Sequence, residues 1–556
     1  VAENPNTILN NLNDFRKDKV AGTYIRNASA QSESNNLKFT FEKDYHNQQS
    51  SQSAYAESAQ SFGLSGSFGP YSGSCQANHK QERESASEEI NGILTAYADS
   101  GTVAFKGDHN KIRQSLDTGV LEKLDNINSF ESAEAFTKEY GTHLVTSVRL
   151  GGLLTLVVKI MSRSLSEKQE LAVQAEAAYS GVGSMEATAS ASQKVATMSS
   201  TKSMNVHLRV IGGSPETATA ANMDHPDTIA AWAKTCDENS VSGLHEALEL
   251  YKLAAGAQAR DTLKAYLDLC LLKHSVENPV IFSNMVPINK TRYNSVSVPV
   301  DGGYKIISGG AWLAEYGSDF LTGSYPDFSG GVINSWQAAS HDCMEESTDR
   351  SELVGYAIGV HDPTDLLSVY CGSANGSNHD WGGDTATKTL EGGYVLTGGG
   401  CQLNTDQPMA RYLTGSYPTC VNGDTYNGWV ADGRDYVNPS VAQLKAWAIG
   451  IRLKNASDYL TLSHRVIKKE GGNDSHGTSL AVLGGQAGLA GGGVQLSDNG
   501  ENLVHASFPA TQSNQMGWQE YNGDLYARFH PVVATAYAIT LEFTGKKGVT
   551  FQPYGR

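Results

Sequence analysis

The second half of the chain repeats one pattern three times, and no other feature narrows its fold as much. The first copy runs from Asp301-Gly302-Gly303-Tyr304 through Gly309-Gly310 and Leu321-Thr322-Gly323-Ser324-Tyr325-Pro326 to Trp336, and closes at Tyr356-Ala357-Ile358-Gly359-Val360. The second has Glu391-Gly392-Gly393-Tyr394, Gly398-Gly399-Gly400, Leu413-Thr414-Gly415-Ser416-Tyr417-Pro418, Trp429 and Trp447-Ala448-Ile449-Gly450-Ile451. A more diverged third copy keeps Leu483-Gly484-Gly485, Val504-His505-Ala506-Ser507-Phe508-Pro509, Trp518 and Tyr537-Ala538-Ile539-Thr540-Leu541. Matching anchors such as Ala357, Ala448 and Ala538 lie about 90 residues apart. Each unit offers short apolar strands between glycine turns and is too small to bury a core alone. Three units packed about a pseudo-threefold axis are therefore expected, at 301–360, 391–451 and 477–541 of an all-β domain spanning 300–556. The recurring Trp and Tyr read as core, whereas the loops between anchors differ and could meet a ligand. No acidic cluster recurs at matching steps, so nothing points to calcium or another metal, and no cofactor is implied.

At 556 residues the chain calls for two or three domains. Its formal charge of −17, with no Lys/Arg block, argues against nucleic acid, which needs a basic footprint. The same charge argues against adsorption to anionic lipid, so a membrane target would need a specific receptor. No apolar run reaches the roughly 18 residues of a spanning helix. The longest, Leu150 to Met161, contains Gly151, Gly152 and Lys159. The first residues, Val1-Ala2-Glu3-Asn4, read as a mature start after loss of a signal peptide, or as a cytosolic start without Met. Five glycosylation sequons, at Asn27, Asn289, Asn375, Asn455 and Asn473, favour secretion. Seven cysteines (Cys75, Cys236, Cys270, Cys343, Cys371, Cys401, Cys420) without a C-x-x-C pair suggest structural disulfides with one cysteine left over.

In the first half, Ser129 to Glu139 reads as a helix capped by Asn128 or Ser129, with Phe130, Ala133 and Phe136 on one face. It ends at Tyr140-Gly141-Thr142-His143-Leu144, and a strand follows from Val145 to Ile160, interrupted by Gly151-Gly152. Glycines inside a strand mark a bend or a close backbone approach. A further strand, Asn205 to Ile211, closes at Gly212-Gly213. The pentapeptide in this setting resembles the signature of the membrane attack complex/perforin (MACPF) family, with Leu144 where an aromatic is common. Thr228 to Lys273 reads as a helical run similar to the closing helices of that family. The resemblance covers roughly residues 5 to 290 and implies a domain at 1–290 with an α+β fold. That fold is a bent, twisted antiparallel sheet flanked by helical clusters. No nucleophile or carboxylate pair stands in a recognisable relation to His143, which reads as a hydrogen-bonded residue fixing helix to sheet. No catalytic residue is assigned, and Gly151, Gly152, Gly212 and Gly213 are expected to act as hinges.

The resemblance also implies two inserts that turn from helix into membrane hairpins. A barrel strand needs about 9 to 11 residues of alternating polarity. In the second insert Val173, Ala175, Ala177, Tyr179, Met185, Ala187 and Ala189 alternate with Gln174, Glu176, Ser180, Glu186, Thr188 and Ser190, around a turn at Gly181-Val182-Gly183. The Ala, Glu, Gln and Met content nevertheless favours helix, which suits an element with two states. The first insert is less regular: Phe62, Leu64 and Phe68 give one apolar face, and Pro70 and the charged stretch His79 to Glu89 interrupt it. The plainer reading of such Ala/Ser/Gly alternation is a low-complexity loop or a small-residue helix face.

Stretch 275–299, with Pro279, Pro287 and Pro299, reads as the linker between the halves. The whole resembles perforin-like proteins of apicomplexan parasites and invertebrate toxins. It implies a secreted, non-enzymatic pore former that binds membrane lipid or a surface glycan, assembles as a homo-oligomeric ring and enters the target-cell membrane as a β-barrel. The odd cysteine would suit a disulfide-linked second chain. The alternative is a non-lytic protein of adhesion, development or egg storage with a lectin-like C-terminal domain. A secreted glycosidase is a third, poorer reading, because nothing marks a carboxylate pair.

Overall fold

The computed structural model describes residues 24–27, 38–42, 89–105, 108–114, 116–161, 204–220, 226–236, 241–288, 293–300, 302–313, 319–342, 352–376, 383–404, 411–421, 425–435, 442–454, 458–474, 478–483, 488–497, 502–512, 515–524 and 532–551. They fall into two compact units: those up to Leu271 together with Val549–Phe551, and those from Leu272 to Gly548. The segments 62–68 and 173–189, and with them the expected membrane-inserting residues, lie outside the described residues.

The N-terminal unit is organised by β4, the 19-residue strand His143–Met161, whose Val, Leu and Ile suit a pleated surface. It pairs antiparallel with β3 (Glu89–Phe105) along nearly its whole length. On the far side of β3, β1 (Tyr24–Asn27) and β2 (Lys38–Glu42) cover opposite ends. On the far side of β4, β5 (Met204–Gly212) covers one half and β6 (Val241–Glu249) the other. The β3–β4 register slips between Asp99 and Gly101, opposite Gly151 and Leu150. A bulge facing a glycine pair is how an antiparallel sheet bends sharply. Among the described residues six helices accompany the sheet: α1 (His109–Gln114), α2 (Thr118–Asp125), α3 (Phe130–Tyr140), α4 (Pro215–Ala220), α5 (Pro226–Thr235) and α6 (Ala257–Glu277). This is the expected α+β fold.

Two expectations need correction. Thr228 to Lys273 is not one helical run: α5 gives way to β6, a 3-10 turn at Leu250–Leu253, and only then α6. Leu244 and Leu248, four apart as on a helix, instead face Val148 and Leu144 of β4. Pairing with β4 satisfies backbone groups that an edge would leave open, and tertiary pairing overrides local periodicity. The stretch 275–299 is likewise not a linker. After α6 it forms β7 (Val280–Pro287) and β8 (Tyr293–Pro299), with Pro287 and Pro299 at strand ends where a missing N–H is tolerated.

Among the described residues each repeat therefore has six strands. The first continues with β9 (Tyr304–Leu313), β10 (Asp319–Ser329), β11 (Val332–Asp342) and β12 (Glu352–His361). The second is β13 (Leu367–Asn375), β14 (Gly383–Thr389), β15 (Val395–Asn404), β16 (Arg411–Thr419), β17 (Gly428–Asp435) and β18 (Gln443–Leu453). The third is β19 (Leu460–Asp474), β20 (Thr478–Val482), β21 (Leu489–Leu496), β22 (Asn502–Gln512), β23 (Gln515–Asp524) and β24 (Val532–Gly545). No sheet belongs to one repeat. The three orders are β13-β18-β15-β10-β11-β8, β20-β23-β22-β9-β12-β7 and β14-β17-β16-β21-β24-β19. The first, sixth and third strands of one repeat thus join the fourth, fifth and second strands of the preceding repeat. The third repeat serves as the predecessor of the first, so the exchange closes on itself.

The seams explain the repeated motif. They pair Ser324 with Cys401, Ser416 with Val494, and Ser507 with Ala311. Each of these serines accepts a hydrogen bond from the indole Nε1 of Trp336, Trp429 or Trp518, at 3.0, 2.9 and 2.9 Å. A Cβ on Gly309, Gly399 or Gly492 would stand 2.3 Å from the indole Cδ2 of the same tryptophans. One on Gly310, Gly400 or Gly493 would stand 2.5, 2.4 or 2.2 Å from the carbonyl oxygen of the seam serine. The paired glycines therefore seat the indole and admit the neighbouring repeat. The three tryptophans are core, as expected.

None of the five described cysteines forms a disulfide, against the expectation of paired bridges. Cys371 and Cys401 sit in different apolar clusters, and burial pushes their thiols up to about 12 and about 11, which keeps them protonated and inert. Cys75 and Cys343 lie outside the described residues. Of the sequon asparagines, Asn375 is exposed at the end of β13, and Asn27 and Asn473 lie on β1 and β19. Asn289 and Asn455 lie outside the described residues.

The third repeat breaks the symmetry at Glu520. It stands two residues after the core tryptophan, where the other copies have buried Ala338 and Ala431, and it is itself fully buried. Neither carboxylate oxygen makes a hydrogen bond of good geometry. Burial pushes its pKa up to about 8, and Ser479 and Asn522 only temper the shift. A carboxyl raised this way is protonated in the folded chain and ionised in the unfolded one between its ordinary value and about 8. Stability should therefore be greatest in mild acid and fall as pH rises towards 8, by about 1.4 kcal/mol per unit from this group. Thermal unfolding from pH 5 to 9 should show that fall, and Glu520→Gln should flatten it.

Candidate functional site

The signature residues lie where α3 hands the chain to β4. The helix starts at a reciprocal cap between Ser129 and Ser132 and buries Ala133, Phe136 and Thr137. It ends at Gly141, whose φ of 81° favours glycine and whose N–H reaches the Thr137 carbonyl at 2.9 Å. Tyr140 is half-buried, with its hydroxyl 3.1 Å from Lys123 Nζ and the ammonium 5.1 Å from its ring centre. The same ammonium pairs with Glu139 at 2.6 Å. The Thr142 carbonyl accepts a hydrogen bond from Leu250 N at 3.0 Å, and its hydroxyl lies 2.8 Å from His143 Nδ1. His143 faces Glu249 of β6 in the register, and Leu144 faces Leu248. Burial lowers the His143 pKa to about 4, against the pull of Glu249, so the imidazole is neutral at physiological pH. The motif fastens α2, α3, β4, β6 and the 3-10 turn together.

Eight residues further along β4 is Gly151, and the four glycines expected as hinges come together there. Gly152 pairs with Gly212 across β4 and β5. Gly151, Gly212 and Gly213 have φ of 109°, 84° and 71°, conformations that a side chain would strain. A Cβ on Gly212 would lie 2.2 Å from the Gly151 carbonyl oxygen. One on Gly152 would lie 2.2 Å from Cys236 Sγ and 2.8 Å from the Trp232 ring, and one on Gly213 would lie 2.9 Å from Trp232 Nε1. The glycines form a cradle, and the fully buried Trp232 of α5 fills it, donating Nε1–H to the Gly212 carbonyl at 3.0 Å. Thr235 ties the cradle shut by accepting from Ser214 N at 2.9 Å and meeting Thr217 at 3.0 Å. Trp232 and Thr235 were missed by sequence reasoning. A lone tryptophan one short helix after a Gly-Gly pair was the available signal.

The register also locates the ends from which the two inserts depart. Glu89 of β3 is opposite Met161 of β4, Ile160 is opposite Met204 of β5, and Glu42 of β2 is opposite Ile93 of β3. Segments 43–88 and 162–203 consequently leave the same end of four adjacent strands, one joining β2 to β3 and the other joining β4 to β5. Among the described residues, no group of His, Cys, Asp and Glu could hold a metal, and no helix is long and apolar enough to cross a membrane.

The MAC/Perforin domain family model matches residues 17–278. Comparison with curated proteins gives no match. Among solved structures, the chain is similar to GNIP1Aa from Chromobacterium piscinae, at 14% identity over 68% of this chain and 69% of that one, with a TM-score of 0.32. It is also similar to Astrotactin-2, a vertebrate-specific perforin-like membrane protein involved in neuronal development, at 12% identity over 60% and 62%, with a TM-score of 0.33. A MAC/Perforin-domain protein from Bacteroides thetaiotaomicron gives 10% identity over 46% and 54%, with a TM-score of 0.29. The alignments span less than two thirds of the latter two chains.

The close approach of Gly212 to the Gly151 carbonyl predicts the outcome of adding one methyl group. Gly212→Ala should destabilise the chain by about 2–4 kcal/mol, the sum of a left-handed backbone and an overpacked contact. Gly243→Ala, with nothing within 4 Å of its Cβ, should change stability little. Thermal unfolding of the two variants side by side checks this.

Proposed function

We propose that this chain, which carries a MAC/Perforin domain at residues 17–278, is a pore-forming protein that enters membranes by extending its N-terminal sheet. The supporting observation is the shared departure point of segments 43–88 and 162–203 from β2, β3, β4 and β5. If each segment opened into a hairpin, all four strands would lengthen in register, and every new strand would have a neighbour to pair with. Each arm would hold about 20 residues, or roughly 65 Å at the strand rise, ample for a tilted crossing of a 30 Å core. Lateral assembly into a closed ring would then satisfy all backbone hydrogen bonds, as lipid demands. The alternation from Val173 to Ala189 supplies an apolar face for lipid and a polar one for water.

In this reading the chain acts outside the cell that makes it. Its threefold domain docks on a surface lipid or glycan, and copies assemble side by side. A second chain held through Cys75 or Cys420 is compatible with that scheme. The irregular first insert, broken at Pro70, favours the second reading, a non-lytic MACPF protein of adhesion, development or egg storage.

Dye release from red cells or natural-lipid vesicles separates the two. An engineered disulfide pinning 173–191 to the sheet should abolish leakage while leaving surface binding intact, and reduction should restore it. Binding of the parent without leakage would select the non-lytic reading.

A further inference from the structure

The last described residues of the chain return to the N-terminal unit, where they form a strap. The chain leaves β24, turns at Lys547-Gly548 with φ of 55° and 80°, and places Val549–Phe551 among the helices of that unit. Phe551 is 2% exposed. It stacks on Tyr266 of α6, with ring centres 5.5 Å apart and planes 21° from parallel, and meets Phe130 of α3 edge-on at 5.8 Å. Thr550 N donates to both oxygens of Glu134 on α3, at 3.2 and 3.1 Å, and the Thr550 hydroxyl donates to the same carboxylate. Burial by itself would raise the Glu134 pKa, but the Thr550 bonds and Lys138, 3.1 Å away, hold it below the usual carboxylate range. The carboxylate is therefore ionised, and the clasp intact, at neutral pH.

One property marks this strap as more than a packed terminus. Phe551 has φ of 53°, a left-handed conformation that is a genuine outlier for a bulky side chain. The aromatic slot holds the backbone against its local preference, and such strain persists only where surrounding contacts impose it. The slot is built from α3, which runs directly into the signature at Tyr140, and from α6, which runs directly into the first strand of the threefold domain. Along the chain, α6 leads into β7, and β24 leads into the strap.

We propose that Val549–Phe551 is a releasable clasp that holds α3 and α6 in the soluble arrangement, and that docking of the threefold domain pulls it free. The proposal rests on the reading of the chain as a surface-triggered pore former. The strain at Phe551 lowers the cost of release, and the Glu134–Thr550 bonds keep the clasp shut until then.

The test uses the full chain with two variants, read by dye release and by hydrogen exchange at the amides of 549–551. Phe551→Ala should open the clasp and speed leakage on the order of tenfold, because a buried aromatic contact is lost. A disulfide between substituted Glu134→Cys and Thr550→Cys should bind the surface normally and leak only after reduction. This second variant keeps the test decisive if Phe551→Ala folds poorly. Leakage by the oxidised variant at the parent rate would overturn the clasp while leaving pore formation standing. If the parent itself never leaks, the pore reading fails and hydrogen exchange decides alone. Faster exchange at 549–551 on binding red-cell membranes supports release, and unchanged exchange overturns it.

Discussion

Both units depend on the same contact, an indole seated flat against glycine. In the threefold domain Trp336, Trp429 and Trp518 lie on Gly309, Gly399 and Gly492, each with its N–H turned to a seam serine. In the N-terminal unit Trp232 lies in the cradle of Gly152, Gly212 and Gly213, with its N–H turned to the Gly212 carbonyl. A buried indole brings a large apolar surface and one donor that must be satisfied. Glycine lets the backbone come close enough to meet both demands at once. Where three copies surround an axis, the contact welds neighbouring repeats. Where a single copy sits at a bend, it plugs the bend.

The two units differ in how their sheets are completed. In the threefold domain the exchange of strands between repeats closes on itself, so each repeat is needed to complete two sheets and none can leave alone. In the N-terminal sheet β2, β3, β4 and β5 end on the same side, β2 opposite Ile93 and the others level with Glu89, and the chain that continues from them is long. The bend at Gly151–Gly152 interrupts the regular sheet, and Trp232 fills the cradle formed there.

How much of this was legible in the sequence depended on the range of the forces involved. The repeats were legible because three copies of one packing problem leave three copies of its solution, Gly-Gly, Ser-Tyr/Phe-Pro and Trp, in the chain. Helix α3 and strand β4 were legible because a serine cap, an amphipathic face and a β-branched run are local signals. The strand exchange was not, because pairing between repeats leaves no trace in spacing. Strand β6 was misread because Leu244 and Leu248 fit a helix until β4 offers them partners. Trp232, Glu520 and the clasp at Phe551 were hidden for a related reason: each gains its meaning from a residue far away in the chain.

The account stands on the claim that 173–189 becomes a membrane hairpin. An environment-sensitive dye placed on single cysteines along this segment, in full-length chain bound to vesicles, tests it directly. The account predicts a signal of period two, with positions 175, 177, 187 and 189 reporting lipid and 174, 176 and 188 reporting water. Uniform exposure to water at every position on membrane-bound protein would contradict it.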